Sequence, residues 1–325
     1  GGGGSGGGRH ATTLVMHHGY GVGAAMWCFS LDALHERFDD VIAIDWRGCG
    51  RSARPRFTPR TPDAALDWFG EAFEAWRANH PLLGDGRQFV LLGHSLSAPI
   101  VTRYARARPQ FVQHLILLSP ACVPRPPARD DGGAHPPRRL FWRVVRRVWD
   151  VTSPGVLIRA VGPAGRWLVG WLVGRRVAWM PESSAMRTIA NIDDVVDYNF
   201  TNWAGPPSGE RALNVLLLPG VYARGTPLCD VIVPTDPVMA AMPITFIYGG
   251  GYDWMEYAHG AAVVDAMRAA LGGGAAGCRA ALLNVRGGGH QLHLNKPLEC
   301  ADAIGRAHGD AKARHGDAWA STRVG

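Results

Sequence analysis

The chain has 325 residues, 47% of them hydrophobic, and a formal net charge of +7 at pH 7. This length and apolar content favour one large domain with an insertion over two equal domains. The six cysteines lie far apart and form no C-x-x-C pair. That spacing argues against a disulfide framework and a zinc site, and it favours a reducing compartment. No apolar signal region or membrane span is visible near the amino terminus.

The first part of the chain is predicted to alternate between strands and helices. Residues 1–10 are dominated by glycine and predict a flexible segment without a core. Apolar runs at 12–17 and 41–45 predict two strands, the first of which ends in a glycine-rich turn. A helix is expected between them at 24–38, and another at 62–79, where apolar residues recur with helical spacing.

The third predicted strand ends in the most informative motif of the chain. Residues 89–92 form a buried apolar run, and G-H-S-L-S follows directly at 93–97. A serine between small residues, placed between a strand and a helix at 96–106, is typical of a nucleophile elbow, whose sharp turn exposes the hydroxyl. Ser95 is therefore a candidate nucleophile. The competing interpretation is an ordinary helix N-cap, which such a serine more often is.

A long insertion interrupts the alternation after a strand at 114–119. Strands resume only at 244–248 and 281–285, with helices expected at 258–271 and 297–307. Strands that alternate with helices predict a mostly parallel sheet flanked by helices. The insertion is too long for a plain loop, so it is expected to form a helical cap.

The predicted architecture is one α/β core interrupted by this cap. The expected parts are a first core segment at 11–123, the cap or lid at 124–240, a second core segment at 241–312 and a tail at 313–325. Loops at the carboxyl ends of parallel strands meet at one edge of a sheet, and the site is therefore expected there.

The positive charge is concentrated in the predicted cap. Nine arginines and five of the twelve tryptophans lie between Arg138 and Met180, against one acid, Asp150. Guanidinium groups bind lipid phosphates and indole rings favour the headgroup region, so this segment is expected to bind an anionic membrane surface. Nucleic acid is a weaker candidate because no recognised nucleic-acid-binding module is present. A cap packed on the core with a solvated basic face is the structural alternative.

Three candidate residues follow strands in the order that serine chemistry needs. Ser95 requires a base that takes its proton and a carboxylate that orients the base. His290 lies in a glycine-rich loop after the last strand and is the candidate base. Asp253, after the strand at 244–248, is the candidate acid, with Glu256 in reserve. The order serine, acid, histidine is that of α/β hydrolases and differs from the chymotrypsin and subtilisin orders.

Backbone donors near the serine would be needed to hold an oxyanion. The N–H of Leu96, next to the candidate nucleophile, and that of Tyr20, in the turn after the first strand, are the candidates. The histidines at 17–18 and the H-x-x-H at 290–293 have no accompanying carboxylate cluster, so no metal site is expected. Glycines at 19–23 lack the Lys-Ser/Thr of a phosphate loop. No cofactor is expected.

Five further motifs are found in the core and in the predicted cap. They are D-x-x-G-x-G-R-S-x-R-P-R-F at 45–57, L-I-R-A-V-G-P at 157–163, P-S-G-E-R-A at 207–212, P-G-V-Y-A-R at 219–224, and Y-G with D-W-M at 248–255. With the elbow and G-H-Q-L at 289–292, they make the chain similar to a lipid-active subfamily of α/β hydrolases. That subfamily contains N-acylphospholipid hydrolases, lipid-droplet lipase coactivators and mitochondrial cardiolipin deacylases. The resemblance covers nearly everything after Thr12.

The resemblance implies a role for each member of a catalytic triad. Ser95 corresponds to the nucleophile, His290 to the base and the carboxylate near Asp253 to the orienting acid. The chain has one residue more between Tyr-Gly and Asp-Trp-Met than the family pattern, and its second acid is Glu256, so both carboxylates are candidates. Family members also have two strands before the first strand found here. The chain is therefore expected to lack the first two strands of the fold.

Two more departures from the family bear on the reaction. Ser97 stands where the elbow usually has glycine, which leaves substrate fit beside the nucleophile open. Asn295 replaces the aspartate of H-x-x-x-x-D, a motif linked in the family to lysophosphatidic acid acyltransferase activity. Members that have lost the serine act as lipase coactivators, whereas this chain keeps Ser95. Hydrolysis is therefore favoured.

The resulting prediction is a serine hydrolase that deacylates phospholipids or lysophospholipids at a membrane surface. A lysophosphatidic acid acyltransferase and a non-catalytic lipid-surface adaptor are the alternatives. The protein is expected inside the cell, in the cytoplasm with peripheral membrane association. The mitochondrion and the lipid droplet are further candidate locations.

Overall fold

A computed structural model describes residues 12–127, 147, 149, 152–270 and 278–315. The described chain contains a six-stranded parallel sheet of order β2-β1-β3-β4-β5-β6. Its strands are Thr13–His17 (β1), Asp40–Ile44 (β2), Phe89–His94 (β3), Val112–Leu118 (β4), Ile244–Gly249 (β5) and Ala280–Val285 (β6). The prediction of a mostly parallel sheet flanked by helices is confirmed, and each of these strands lies at its expected place.

Helices cover both faces of the sheet and fill most of the described stretch between β4 and β5. They are Leu31–His35 (α1), Pro62–Ala78 (α2), Ser97–Ala107 (α3), Pro154–Ala160 (α4), Gly165–Ala178 (α5), Ala185–Thr188 (α6), Ile192–Ala204 (α7), Ala212–Leu216 (α8), Leu228–Val231 (α9), Pro237–Ala241 (α10), Tyr257–Ala269 (α11), Leu292–Asn295 (α12) and Pro297–His315 (α13). Helices α4 to α10 occupy the predicted cap, whose bounds at 124–240 remain a prediction. Helix α13 extends into the predicted tail, 313–325.

Several predicted features fall outside the described residues. These include the glycine-rich segment 1–10 and the end of the tail. The first part of the arginine- and tryptophan-rich segment, with Arg138, Arg139, Trp142, Arg143, Arg146 and Asp150, is also outside. The segment's described part consists of Arg147, Trp149 and the residues from 152 to Met180. In the described residues, no helix is long and apolar enough to cross a membrane.

The helix expected at 24–38 is wrong over its first half. Ala24–Ser30 is a 3₁₀ segment, and only the five residues of α1 are α-helical. The 3₁₀ segment is rich in aromatic residues, whose helix propensity is low. Its first N–H, that of Ala24, donates to Asp45 Oδ1 at 2.6 Å. The start of the segment is therefore held by the loop after β2, and the segment does not form a regular α-helix.

Strand side chains alternate between two hydrophobic cores, one on each face of the sheet. Val15 and Leu91 belong to a core that includes residues of α2 and α3. Their neighbours Met16 and Leu92 belong to a second core, which includes residues of α1 and α13. Most strand side chains of a parallel sheet that is covered on both faces are apolar. Polar residues that do chemistry are therefore found in the loops that follow the strands.

The family motifs of the cap dock on the loop that follows β2. The N–H of Gly209 donates to Gly48 O at 3.1 Å, and Ser208 Oγ donates to Pro55 O. Gly48 has a φ of 78°, and a Cβ there would collide with the backbone of Gly209. Only glycine fits such a contact, because any side chain would push the two segments apart. This junction fixes one side of the cap over the sheet.

A buried ion pair joins two of these motifs within the cap. Arg159 Nη2 of α4 lies 2.9 Å from Glu210 Oε1, and both side chains are largely buried. Arg159 Nη1 also donates to Trp203 O at the end of α7, at 3.0 Å. The pair therefore links α4, α7 and the 207–212 motif as one unit.

Candidate active site

Ser95 occupies the sharp turn between β3 and α3. Its φ of 55° lies in the left-handed region that residues other than glycine rarely adopt. Its N–H is held by Leu118 O of the neighbouring strand at 3.0 Å. A Cβ on Gly93, two residues earlier, would lie 2.5 Å from Val101 of α3, so only glycine lets the strand and helix pass this closely. The turn has the strained strand-to-helix geometry of a nucleophile elbow.

Ser97, the unusual last residue of the elbow, is buried and its side chain stabilises the turn through hydrogen bonds. Its Oγ accepts a hydrogen bond from Trp46 Nε1 at 2.6 Å and donates one to His18 O. The hydroxyl thus connects α3 with the loops after β1 and β2. Both of its hydrogen bonds are to protein groups. Ser97 therefore has a structural task that does not require contact with a substrate.

His290 connects Ser95 with Asp253. His290 Nε2 lies 3.0 Å from Ser95 Oγ, and Nδ1 lies 3.1 Å from Asp253 Oδ1. With Nδ1 protonated, the ring donates to the carboxylate and presents the lone pair of Nε2 to the hydroxyl. All three predicted candidates, which are far apart in sequence, meet at the carboxyl edge of the sheet. The arrangement can remove a proton from Ser95.

Asp253 is held by four hydrogen-bond donors in an almost fully buried position. Oδ2 accepts from Ser119 Oγ at 2.6 Å and from the N–H of Gly249 at 3.2 Å. Oδ1 accepts from the N–H of Met255 at 2.9 Å and faces the imidazole of His290. Burial alone would raise the pKa of Asp253, but the hydrogen bonds from His290, Ser119 and Met255 hold that pKa below its ordinary value. The side chain is therefore a carboxylate at neutral pH.

Glu256, the reserve acid, does not reach His290 in this structure. Its side chain is 75% exposed, and its Oε2 lies 3.8 Å from the imidazole of His259. It precedes the first residue of α11. In the glycine turn after β5, the N–H of Gly250 donates to Val285 O at 2.8 Å. That turn leaves Asp253 beside His290.

The imidazole of His290 is held in its neutral form. Burial lowers its pKa below the ordinary value, and the positive charge of Arg176 lowers it further, while the hydrogen bond and charge of Asp253 raise it. The lowering effects are the larger ones. A neutral imidazole beside a serine hydroxyl is the protonation state that a general base needs.

The two predicted oxyanion donors flank the nucleophile. Leu96 follows Ser95 and precedes the first residue of α3. Tyr20 follows Gly19, whose position touches the elbow: a Cβ there would lie 3.0 Å from Ser95 Cβ and 2.7 Å from His94 Nδ1. Glycine at 19 thus lets the turn after β1 approach the serine. The backbone around Tyr20 and the N-terminus of α3 therefore meet at Ser95.

Two residues that sequence reasoning did not select complete the site. Ser119 follows β4 with a φ of 43° and donates to Asp253. Trp254 stacks on His290, with ring centroids 4.2 Å apart. Ser119 could have been found by its place at the carboxyl end of a predicted strand, and Trp254 by its place beside the candidate acid. Neither residue type signals chemistry alone.

Asn295, which replaces the family aspartate, points to the cap. Its Nδ2 donates to Ser184 Oγ at 3.4 Å, just before α6, and both side chains are buried. The residue therefore joins α12 to the cap. Within the described residues, no group of three or more His, Cys, Asp or Glu side chains could hold a metal ion.

Comparison with known proteins identifies the family. Residues 12–255 match the family model described as alpha/beta hydrolase fold. The chain is an α/β hydrolase. Among solved structures, this hydrolase resembles a bacterial membrane phospholipase A, with a TM-score of 0.60 and 19% identity over 94% of this chain and 81% of that one. It also resembles a bromoperoxidase from Bacillus anthracis, with a TM-score of 0.59 and 16% identity over 92% of each chain. At such identities the likeness shows the fold alone.

Relatives closer in sequence carry names from lipid chemistry. The hydrolase is 32% identical over 299 residues to a 1-acylglycerol-3-phosphate O-acyltransferase of Arabidopsis thaliana, covering 90% of this chain and 66% of the relative. It is 32% identical over 255 residues to a (lyso)-N-acylphosphatidylethanolamine lipase of Bos taurus, covering 78% and 68%. It is 30% identical over 238 residues to the 1-acylglycerol-3-phosphate O-acyltransferase ABHD5 of Rattus norvegicus, covering 73% and 63%. The chain thus spans about two thirds of each relative, and the hydrolase belongs to the lipid-active subfamily that its motifs indicated.

Proposed function

We propose that this α/β hydrolase deacylates phospholipids or lysophospholipids, with Ser95 as nucleophile, His290 as base and Asp253 as the orienting acid. The observation that carries the proposal is the continuous hydrogen-bonded chain from Ser95 Oγ through both ring nitrogens of His290 to Asp253 Oδ1. An acyl-lipid substrate is supported by the bovine relative, which is named as a lipase of N-acylphosphatidylethanolamine.

The first half of the proposed reaction acylates the enzyme. His290 Nε2 takes the hydroxyl proton as Ser95 Oγ bonds to the carbonyl carbon of an acyl ester. The carbonyl oxygen becomes an oxyanion, which the N–H groups of Leu96 and Tyr20 stabilise. The ester C–O bond then breaks, and the protonated imidazole gives its proton to the departing alkoxide. Asp253 stabilises the imidazolium between these two transfers without taking its proton.

The second half uses water and restores the serine. A water molecule loses a proton to His290 Nε2 while its oxygen attacks the acyl-Ser95 carbonyl. The second tetrahedral intermediate collapses, the proton returns to Ser95 Oγ, and the fatty acid leaves. Every atom of the products comes from the ester and one water molecule, so the reaction needs neither metal nor cofactor.

The proposal includes a lipid surface because α5 exposes a stripe of tryptophans. Trp167, Trp171 and the following Trp179 recur every four or eight residues, with Arg175 between the last two; we call these four residues the tryptophan stripe. Trp167 and Trp179 are 74% and 80% exposed, unusually high for so apolar a residue. The guanidinium of Arg175 lies 5.0 Å from the Trp171 ring. Residues four apart share one side of a helix, and Trp with Arg suits an interface with anionic headgroups.

A fluorophosphonate probe tests the proposed nucleophile. Wild type should react covalently with the probe at Ser95, and Ser95→Ala should not react. A His290→Gln variant should react far more slowly, because Oγ loses the base that accepts its proton. Equal labelling of wild type and Ser95→Ala would overturn the mechanism, and peptide mapping of the probe would show which residue reacted instead.

We propose acyl transfer to lysophosphatidic acid as the second candidate function. It is favoured by the plant and rat relatives, both of which are named 1-acylglycerol-3-phosphate O-acyltransferases. The same Ser95 chemistry would serve, with a lysolipid hydroxyl in place of water. Asn295 in place of the family aspartate speaks against it.

Product analysis separates the candidates. The protein is incubated with a long-chain acyl-CoA and lysophosphatidic acid, and phosphatidic acid and free fatty acid are both measured. Fatty acid in excess supports hydrolysis, whereas phosphatidic acid with little fatty acid supports transfer. Binding to lipid vesicles with neither product, and unaffected by Ser95→Ala, would instead identify a non-catalytic adaptor.

A further inference from the structure

Side chains from three elements form a continuous stack that ends on His290. The indole of Trp254 lies on the imidazole, with centroids 4.2 Å apart and ring planes inclined by 28°. The guanidinium of Arg176 lies over the indole, 4.0 Å from its centroid. Arg176 belongs to α5 of the cap, Trp254 to the loop after β5 and His290 to the loop after β6. The cap therefore reaches the triad through one tryptophan.

Helix α5 presents its two neighbouring arginines to different partners. Arg175 is exposed and belongs to the tryptophan stripe, where it contacts Trp171. Arg176 is half-buried and contacts Trp254. Successive helix residues point about 100° apart. The side of α5 that carries the tryptophan stripe therefore faces solvent, while the side that carries Arg176 faces the triad. A displacement of α5 must move the arginine that covers Trp254.

The stack restrains a motion that the triad's own hydrogen bonds leave free. The hydrogen bonds that join His290 to Ser95 and to Asp253 involve its two ring nitrogens, whose hydrogen-bonding directions lie in the plane of the imidazole. They permit the ring to tilt about the line that joins the two nitrogens. An indole stacked on the face of the ring opposes this tilt, and a cation over the indole holds the indole in place. Trp254 stacks on the imidazole, whereas the ring of His94 also contacts it but is more tilted, with centroids 4.9 Å apart and planes inclined by 43°.

We infer that Arg176 and Trp254 are positioning residues for His290, through which the placement of cap helix α5 controls turnover at Ser95. The inference rests on the proposed function, in which His290 is the base. Trp254 acts on the imidazole directly, and Arg176 acts through Trp254. Neither residue exchanges a proton with the substrate.

The stack also predicts a change in the pH profile. Burial lowers the pKa of His290, and the charge of Arg176 lowers it further. Removing the Trp254 indole opens the ring to water, and removing the Arg176 charge relieves a repulsion. Both changes raise the pKa of His290 and move the acidic limb of kcat/KM to higher pH. Loss of structure alone would lower kcat without moving this limb.

The other titratable groups near His290 do not account for the acidic limb of the kcat/KM profile. From the β3 side, burial holds the pKa of His94 well below its ordinary value. From α12, burial lowers the pKa of His293 to about 3. Burial raises the pKa of Tyr252, in the loop after β5, and Asp253 is ionised, as described above. The acidic limb of kcat/KM is therefore assigned to His290, whose neutral form is the base.

The experiment compares matched variants on a soluble short-chain p-nitrophenyl ester. Trp254→Ala should lower kcat by roughly 10- to 100-fold, since small misplacements of a catalytic group have effects of this size, with little change in KM. Trp254→Phe keeps a ring on the imidazole and should retain most of kcat. Arg176→Gln should lower kcat severalfold in wild type but have little further effect in Trp254→Ala. Both Trp254→Ala and Arg176→Gln should shift the acidic limb upward.

Exposed residues away from the stack supply the controls. Tyr257→Ala removes an exposed aromatic ring at the start of α11, and Arg268→Gln removes a charge paired with Asp265 on the same helix. Both should leave kcat and the pH profile unchanged. Thermal melting shows whether each variant is folded. If Trp254→Ala does not fold, the kcat and the acidic limb of Trp254→Phe and of Arg176→Gln test the positioning inference instead.

Fluorophosphonate labelling of the same proteins distinguishes a failure of the positioning inference from a failure of the proposed function. If wild type is labelled at Ser95 but Trp254→Ala and Arg176→Gln keep wild-type kcat and acidic limb, the positioning inference alone is overturned. Additive effects of the two substitutions on kcat would contradict the claim that Arg176 positions His290 through Trp254. If wild type is not labelled at Ser95, the proposed function falls and the inference falls with it.

Discussion

Ser119 Oγ donates a 2.6 Å hydrogen bond to Asp253 Oδ2 and thereby joins the end of β4 to the proposed acid of the triad. The acid itself comes from the neighbouring strand, β5, and its base from β6. The Ser119 hydroxyl donates to the carboxylate oxygen that does not face His290. It therefore fixes the orientation of Asp253 while leaving Oδ1 for the imidazole.

Replacing Ser119 should weaken catalysis without removing any reacting group. Ser119→Ala is expected to lower kcat/KM roughly tenfold, which corresponds to the loss of one hydrogen bond to a charged acceptor. Ser119→Gly should have the same effect, although glycine relieves the positive φ, because the hydroxyl is what matters. Steady-state kinetics with thermal melting as a folding control measures both. Full activity in both variants would show that Gly249, Met255 and His290 suffice to orient the carboxylate.

The buried hydroxyl of Ser97 should matter for stability and little for substrate choice. Ser97→Gly restores the usual elbow residue but leaves the indole N–H of Trp46 without its acceptor. An unsatisfied buried donor costs about 1–3 kcal/mol, so denaturant unfolding should show a loss of that size. Relative rates on esters of different acyl length should stay the same. A changed chain-length preference with no loss of stability would mean that Ser97 contacts the acyl chain.

The pH dependence of activity should report a lowered imidazole pKa. The base works only when neutral, so activity falls as the pH drops through the pKa of His290. Burial lowers this pKa, so kcat/KM should remain near its plateau at pH 7 and fall only below the ordinary imidazole value of about 6.5. A kcat/KM profile between pH 4.5 and 9 measures the inflection. An inflection above pH 7 would contradict the burial of the ring.

The tryptophan stripe should control binding to lipid but not chemistry in solution. Trp167→Ala combined with Trp179→Ala is expected to weaken binding to vesicles containing anionic phospholipid by tenfold or more, since each buried indole contributes on the order of 2 kcal/mol. Turnover of a soluble ester should not change. Vesicle flotation and ester kinetics measure the two properties.

The control for the stripe lies on another part of the surface. Leu298, at the start of α13, is also a strongly exposed apolar residue, and Leu298→Ala should leave vesicle binding unaffected. If the tryptophan variants bind vesicles as tightly as wild type does, the stripe is a solvated cap surface and the lipid contact lies elsewhere.

Breaking the buried ion pair of the cap should destabilise the cap. Arg159→Met leaves Glu210 buried without its cation, and removing one partner of a buried pair costs about 3–5 kcal/mol. A lower melting temperature and faster proteolysis within the cap are expected. An unchanged melting temperature would show that the N–H of Ser208, which donates to Glu210 Oε2 at 2.8 Å, is enough for Glu210.

The strands of the core were predictable because each is an apolar run that a covered parallel sheet requires. The triad candidates were predictable because their order along the chain and their positions after strands follow from the same topology. Asp253 was preferred to Glu256 from sequence, but the resemblance to the family left both carboxylates open, since the position of each depends on how the glycines after β5 fold. The 3₁₀ segment at Ala24–Ser30 was missed because its first N–H donates a hydrogen bond to Asp45, which is distant in sequence.

Contacts that cross between elements account for what the sequence did not predict. The tie from Ser119 to Asp253 joins two strand ends, and the stack from Arg176 to His290 joins the cap to the core. Each residue alone has an ordinary local explanation, as a turn serine or a surface arginine. Their roles depend on long-range packing, which has no periodicity in the chain.

Release of fatty acid from lipid vesicles shows whether Ser95 deacylates a lipid. Wild type and Ser95→Ala are incubated with vesicles of phosphatidylethanolamine, its lyso form and its N-acylated form, and the free fatty acid is measured by mass spectrometry. Wild type should release fatty acid from at least one of these lipids, and Ser95→Ala should release about a thousandfold less. Equal release by both proteins, or release by neither, would contradict the account.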